Sequence, residues 1–280
     1  MAPLPPRFEA RLAEARALTP SVRELVFERV DGQAMSFVPG QWVSTALGTG
    51  EGPALAPDPA VDALAPVEGS PVRLASPGAP HPGGLDPDTR RSYSIASAPD
   101  GSPRFEIAVT HVQGGPGSTR LHALAPGAVL QFVGPQGFFT RPTGTSELPA
   151  LMIATGTGVA PIRSMLQAAA SQGARSAIWL LLGVRHEEEI LYEGEFRALA
   201  RAHSFFRFEP TLSQPRGPWG GRRGYVQTHV RELWSELLAR REGHPHAYVC
   251  GLERMVGSVR DLLRKEMGLP RQQVHSERYD

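Results

Sequence analysis

The sequence predicts two domains of different class: an antiparallel β-barrel followed by an α/β unit built on a parallel sheet. Three observations lead there. At 280 residues the chain can hold two cores, since single domains cluster at roughly 100 to 150 residues. Its first half carries short apolar runs of period two, such as "SVRELVFERV", broken by "DGQ" and "PGQ" turns. Its second half alternates apolar strands with helical stretches, the pattern of a parallel sheet covered on both faces. The texture changes after "TRPTGTSELP", which divides the chain into residues 1–145 and 146–280.

From Arg7 to about Tyr93 the alternation reads as antiparallel sheet. Within it, residues 48–88 are crowded with Pro, Gly and Ala and show no periodicity, so a long mobile insertion is expected. Further short strands follow at "RFEIAVTHV" and "AVLQFVGPQG", with a brief helix at "STRLHAL" between them. Close-spaced strands with one helix suggest a small barrel. Beyond the boundary the strands are "ALMIAT", "SAIWLLLGV", "FFRFEPTL" and "HAYVCG". The helices are "PIRSMLQAAASQG", "EEEILYEGEFRALARAH", "VQTHVRELWSELLARR" and "LERMVGSVRDLLRKEMG".

Composition removes several function classes. Cys250 is the only cysteine, which excludes an internal disulfide and any iron–sulfur or zinc site built on several thiolates. Net charge is +1 and Lys265 is the only lysine, a balance that argues against general nucleic-acid binding. No stretch approaches the roughly 20 apolar residues of a membrane span. The start "MAPLPPRFEA" lacks the apolar core of a secretory signal, so a cytoplasmic protein is expected.

Two stretches carry chemistry. In "RRSYSIAS", strand geometry puts Arg91 and Tyr93 on one face about 7 Å apart, suited to a ligand with a phosphate and a flat ring. Alone, the motif reads better as a surface strand with a snorkelling arginine. Downstream, "GGPGSTRLHAL" offers glycines that let the backbone approach an anion and Ser118 as a helix N-cap, and the pairing favours the ligand. Strict alternation turns Ser94 away from Tyr93, so the strand must bend or end there if both touch one ring.

The second stretch, "LMIATGTGVAPIRSML", is strand, glycine-rich turn and helix, the context of a phosphate-binding loop. Pro161 stands where a third glycine is usual and fits the first helical turn, where its missing N–H costs nothing. Farther on, "TLSQPRGPWGGRRGYVQTHV" brings Ser213, Arg222, Arg223, Tyr225 and Gln227 together. Arginine forks near a hydroxyl and an aromatic ring suit a 2′-phosphate and an adenine, which prefers NADP over NAD. The alternative is a solvated basic loop.

Taken in order and spacing, "RSYSIAS", "ATGTGVAPIRSML", "LLGVRHEEEILYEGEF", "GYVQ", "YVCGLERM" and the terminal "HSERYD" resemble the ferredoxin–NADP reductase family, plant-type branch. The likeness covers most of the chain. It implies an FAD-binding antiparallel barrel followed by an NADP-binding α/β domain, with hydride passing between NADP(H) and FAD. Single electrons would then pass between FAD and a ferredoxin, a flavodoxin or another electron-transfer protein.

By the same resemblance, Arg91 pairs with the FAD pyrophosphate, Tyr93 packs on the isoalloxazine and Ser94 sits beside flavin N5. Gly115, Gly117 and Ser118 form a second pyrophosphate clamp, and Ala108 to Thr110 wrap the adenosine half. Gly156, Thr157 and Gly158 face the NADP pyrophosphate and the flavin edge. Ser213, Arg223, Tyr225 and Gln227 form the 2′-phosphate and adenine pocket. Cys250, with Gly251 and Leu252 beside it, lies near the nicotinamide; Glu277 handles a proton or orients that ring. Tyr279 is the terminal aromatic that stacks on the flavin and yields to nicotinamide.

The chain departs from the family pattern in adding Asp280 after the aromatic, in the insertion, and in lacking the lysines that plant enzymes present to ferredoxin. A reductase feeding an oxygenase or cytochrome, and a flavin- or nucleotide-binding module without turnover, are the competing readings.

Overall fold

The period-two runs of the first half become an antiparallel sheet. The computed structural model describes residues 5–47, 90–141, 144 and 146–279, so the insertion at 48–88 and Asp280 lie outside the described residues. The strands are β1 (Arg7–Thr19), β2 (Val22–Arg29), β3 (Trp42–Ala46), β4 (Arg90–Ser94), β5 (Arg104–Thr110) and β6 (Val129–Gln136), with helix α1 (Pro116–His122) before β6. They lie in the order β4-β3-β6-β1-β2-β5, and every neighbouring pair is antiparallel. A backbone bridge from Ile95 to Ile107 joins the two outer strands and closes the sheet into a barrel.

Alternation in β1 sends Phe8, Ala10 and Leu12 inward. Phe8, Phe27, Phe105 and Phe132 form a cluster whose touching rings lie 5.0–5.9 Å apart, in stacked and edge-on pairs. Such contacts add about 0.5–1.5 kcal/mol per pair beyond the area they bury.

The second half forms β7 (Ala150–Thr155), α2 (Val159–Ser171), β8 (Ile178–Val184), α3 (Glu193–Ala202), β9 (Phe206–Leu212), β10 (Arg222–Arg223), α4 (Val230–Ala239), β11 (His246–Leu252), α5 (Glu253–Asp261) and β12 (Val274–Tyr279). The sheet order is β10-β9-β8-β7-β11-β12, parallel throughout. β7, β8 and β11 are buried along almost their whole length, which is why they read as unbroken apolar runs. Strand order reverses between β7 and β11, so a crevice opens at their carboxyl ends, where ligands of such sheets bind.

The core on one face of this sheet, around Met152, Leu180 and Phe196, runs on into Val22, Ala96 and Ala108 of the barrel, so the two halves share packing. Among the described residues no helix is long and apolar enough to cross a membrane.

The structure corrects one local expectation. Gly115, not Ser118, is the N-cap of α1, and Ser118 lies inside the first turn. Its hydroxyl folds back to accept from Val112 N–H at 3.0 Å and to donate to the Gly115 carbonyl at 3.1 Å. The segment "VHSERY" near the end of the chain, to which the sequence pattern assigned no element, supplies the edge strand β12.

Phe105 touches three other rings, so Phe105→Ala leaves a cavity at the centre of the barrel. A loss of about 3–5 kcal/mol is expected, read as a lower urea midpoint in equilibrium unfolding.

Candidate functional site at the domain seam

Ser94 is the last residue of β4 and is buried. Its Oγ lies 3.1 Å from the Tyr279 hydroxyl and donates to Glu277 Oε1 at 3.4 Å. Glu277 and Tyr279 share one face of β12. Parallel pairing of β12 with β11 sets Glu277 beside Cys250 and Tyr279 beside Leu252. The Tyr279 hydroxyl also reaches the Thr157 carbonyl at 3.4 Å, and Thr110 Oγ1 meets Thr157 Oγ1 at 3.4 Å. Ser94, Thr110, Thr157, Cys250, Glu277 and Tyr279 therefore converge from both sheets on one seam, with Ala108 buried just below Thr110.

Burial sets the charges there. It pushes the Glu277 carboxyl up to about 7, against the opposing bond from Ser94. Burial likewise raises the Cys250 thiol, which stays protonated at neutral pH and is no nucleophile. The Tyr279 phenol is raised by burial and then by Cys250. Burial pushes Tyr93 up to about 12, partly offset by Arg91.

On the barrel side, α1 lies against Arg91. A Cβ on Gly117 would stand 3.2 Å from Arg91 Cγ and 3.2 Å from a Leu47 methyl, so glycine makes the close approach possible. With the Ser118 hydroxyl spent within its own turn, the backbone from Gly115 to Ser118 is what a pyrophosphate would find. The exposed Arg91 guanidinium stands next to it.

On the α/β side, β7 ends at Thr155, and Gly156 turns the chain at φ +51° with nothing within 4 Å of where a Cβ would stand. This open backbone lies on a cavity of about 590 Å³ at the strand ends, shared with Arg185, Ser213, Tyr225, Gln227 and Leu252. The buried Thr155 hydroxyl, on the same wall, finds no partner among the described residues. A Cβ on Gly158 would collide with the Cys250 carbonyl, and one on Gly251 with Thr155 Oγ1, so these two glycines let α2 start directly against β11. An open glycine turn at the foot of a helix and an unsatisfied hydroxyl fit a dinucleotide phosphate.

The two adjacent arginines part company. Arg222 turns inward to Glu209 at 2.7 Å and Glu232 at 2.8 Å, while Arg223 is exposed and donates to the Trp219 carbonyl at 3.1 Å. Arg223 is not on the cavity wall; Arg185 is. Arg185 follows β8 immediately, and its position just past a strand end was the one available signal. A second cavity of about 780 Å³ is lined by Trp42, Phe138, Phe139, His275 and Glu277, with Phe138 fully exposed at its rim.

Residues 85–140 match the model of an oxidoreductase FAD-binding domain, and residues 152–261 that of an oxidoreductase NAD-binding domain. Ferredoxin–NADP reductase B of Sorangium cellulosum is 50% identical over 274 residues, 98% of either chain. The chain belongs to the ferredoxin–NADP reductase family. It is an FAD-dependent oxidoreductase of NADP(H). The chloroplastic ferredoxin–NADP reductase of Chlamydomonas reinhardtii is 31% identical over 153 residues, covering 51% of this chain and 43% of that longer protein. The fold matches a Neisseria gonorrhoeae ferredoxin NADP+ reductase solved with FAD and NADP, at a TM-score of 0.71 and 19% identity over 97% of this chain and 98% of that one.

Gly158→Ala is expected to force α2 away from β11. NADP binding, followed by difference absorbance, should weaken by at least about tenfold while flavin content per chain is retained, since the barrel is untouched.

Proposed function

We propose that this enzyme moves electrons between NADP(H) and a small ferredoxin- or flavodoxin-type carrier, with the chemistry centred on Ser94. The observation that carries the reading is the convergence of Ser94, from the barrel, with Glu277 and Tyr279, from the edge of the parallel sheet. FAD bound at the seam would exchange a hydride with nicotinamide at N5 and single electrons with the carrier.

Each side chain then has a task. Arg91 and the backbone from Gly115 to Ser118 hold the pyrophosphate, and Tyr93 packs on the ring. Ser94 Oγ, backed by Glu277, holds or passes a proton at N5. Cys250, kept neutral by burial, shapes the nicotinamide pocket without bonding to it. Tyr279 excludes water from the seam and swings out when nicotinamide enters. Gly156, Thr157 and Gly158 receive the dinucleotide phosphates. Ser213, Tyr225 and Gln227, joined by Arg185 from the β8 side, line the cavity that receives the 2′-phosphate and adenine, and Arg223, exposed two residues before Tyr225, turns from the Trp219 carbonyl to the 2′-phosphate when the nucleotide binds. The carrier approaches the other face, where the cavity bordered by Phe138 opens on Glu277.

The purified protein should show flavin absorbance that NADPH bleaches without oxygen; a flavin that NADPH leaves oxidised refutes the reading. Arg185→Ala or Arg223→Ala should each raise the KM for NADPH about tenfold, the value of one charge-assisted hydrogen bond, and leave that for NADH nearly unchanged. Equal changes for both nucleotides would misplace the phosphate pocket.

Glu277 also sets a pH dependence. Its folded pKa is raised to about 7, so the carboxyl is neutral below that pH and ionised above it. A carboxylate favours the pyridinium charge that appears as NADPH gives up hydride. Flavin reduction by NADPH should therefore speed up as pH rises through about 7, and Glu277→Gln should flatten the profile in stopped-flow measurements.

A further inference from the structure

Helix α2 begins at the dinucleotide loop, and its next turn carries Arg163, which is buried although charged. None of the residues its guanidinium contacts lines either cavity. Nη1 donates to the Ala96 carbonyl at 3.2 Å and to Glu106 Oε2 at 2.5 Å, and stands 3.7 Å from Glu24 Oε1. Nε donates to Glu195 Oε2 at 2.8 Å, and the guanidinium centre lies 4.3 Å from the centroid of the Tyr192 ring. One helical turn on, Gln167 accepts from Ala98 N–H at 2.9 Å and donates to Glu195 Oε1 at 2.8 Å.

These bonds cross the seam. Ala96 and Ala98 lie on the segment that leaves β4 after Ser94, and Glu24 and Glu106 lie on β2 and β5 of the barrel. Arg163 and Gln167 lie on the helix whose start is the loop with Thr157, and Glu195 on α3 braces both. The cluster thus ties the chain just past Ser94 to the helix just past Thr157.

Stability alone does not account for it. Gathering several charges in a buried place is costly, and apolar groups of the same shape are often as stable or more so. Apolar packing already joins the two halves through Val22, Ala96, Ala108 and Met165. What directional bonds add is registry, because a planar guanidinium fork with fixed donors tolerates one arrangement of its partners. Hydride transfer needs that registry: a displacement of about 1 Å can cost about 100-fold in rate.

We propose that Arg163 and Gln167 are positioning residues that fix the separation between Ser94 and the dinucleotide loop, and so set the hydride-transfer rate while touching neither ligand. The inference rests on the function proposed above. The test is stopped-flow reduction of the bound flavin by saturating NADPH, alongside NADP affinity and flavin content, for the parent, Gln167→Met and Arg163→Lys. Both variants should be slower by about tenfold or more, with a weaker charge-transfer absorbance and with NADP affinity and flavin content within twofold of the parent. Arg163→Lys keeps the charge and loses the fork, so it should not be spared.

Reduction within twofold of the parent in both variants overturns the proposal, as does a loss of NADP affinity that matches the loss of rate. If Arg163→Lys does not fold, Gln167→Met, whose side chain is partly exposed, decides alone. A parent flavin that NADPH does not bleach at all removes the functional reading, and the clamp with it.

Discussion

The ends of two unlike sheets must meet, and everything else in the molecule serves the 3.1 Å contact between Ser94 Oγ and the Tyr279 hydroxyl. Neither sheet can make the site alone. The barrel supplies a serine at a strand end, and the parallel sheet supplies an edge strand whose register sets Glu277 beside Cys250. Side chains alternate along a strand, so a slip of one residue in β12 would turn Glu277 and Tyr279 outward and bring Ser276 and Arg278 to the seam. The shared core from Met152 to Ala108 presses the two halves together, while within the α/β half the glycines at 158 and 251 let α2 start directly against β11.

Bringing these parts together takes polar groups largely out of water, and each then behaves differently from its form in solution. Glu277 holds its proton near neutral pH and Cys250 keeps its thiol. Glu24 is pushed the same way, by burial and then by Glu106, and is restrained by Arg16 and Arg163. Paired carboxylates deeper in the seam, and a nearly lone one at its mouth, leave Glu277 as the buried acid poised to exchange a proton where a ligand would lie.

Much of this was legible in the sequence because it depends on local chemistry. Period two marked the barrel, alternation of strands and helices marked the parallel sheet, and "ATGTGVAP" marked a loop that needs glycine at 156 and 158 for different reasons, a turn and a close approach. What was not legible depends on distant partners. Ser118 looked like a helix cap, yet the turn that begins at Gly115 lets its hydroxyl return to Val112. Arg222 and Arg223 are chemically identical neighbours, and only the carboxylates of Glu209 and Glu232 decide which one is held inside. Arg163 sits in "PIRSML" among apolar residues, and its barrel partners stand 57 and 67 residues away, at Glu106 and Ala96.

The same contact that closes the seam is weak enough to open. Tyr279 holds its place through hydroxyl contacts of 3.1 Å to Ser94 and 3.4 Å to Thr157, long for O–H···O bonds and worth at most about 1 kcal/mol each. Ser94 bonds to Glu277, which lines the cavity bordered by Phe138, and Thr157 follows Gly156, which lines the other, so this phenol touches a neighbour of each. A tighter anchor would make a permanent partition, and no anchor would leave the Ser94 side of the seam uncovered. Long bonds at the phenol tip, with the ring packed against the core and beside Cys250, let the side chain hold the seam and still give way to a ligand entering from the Gly156 side.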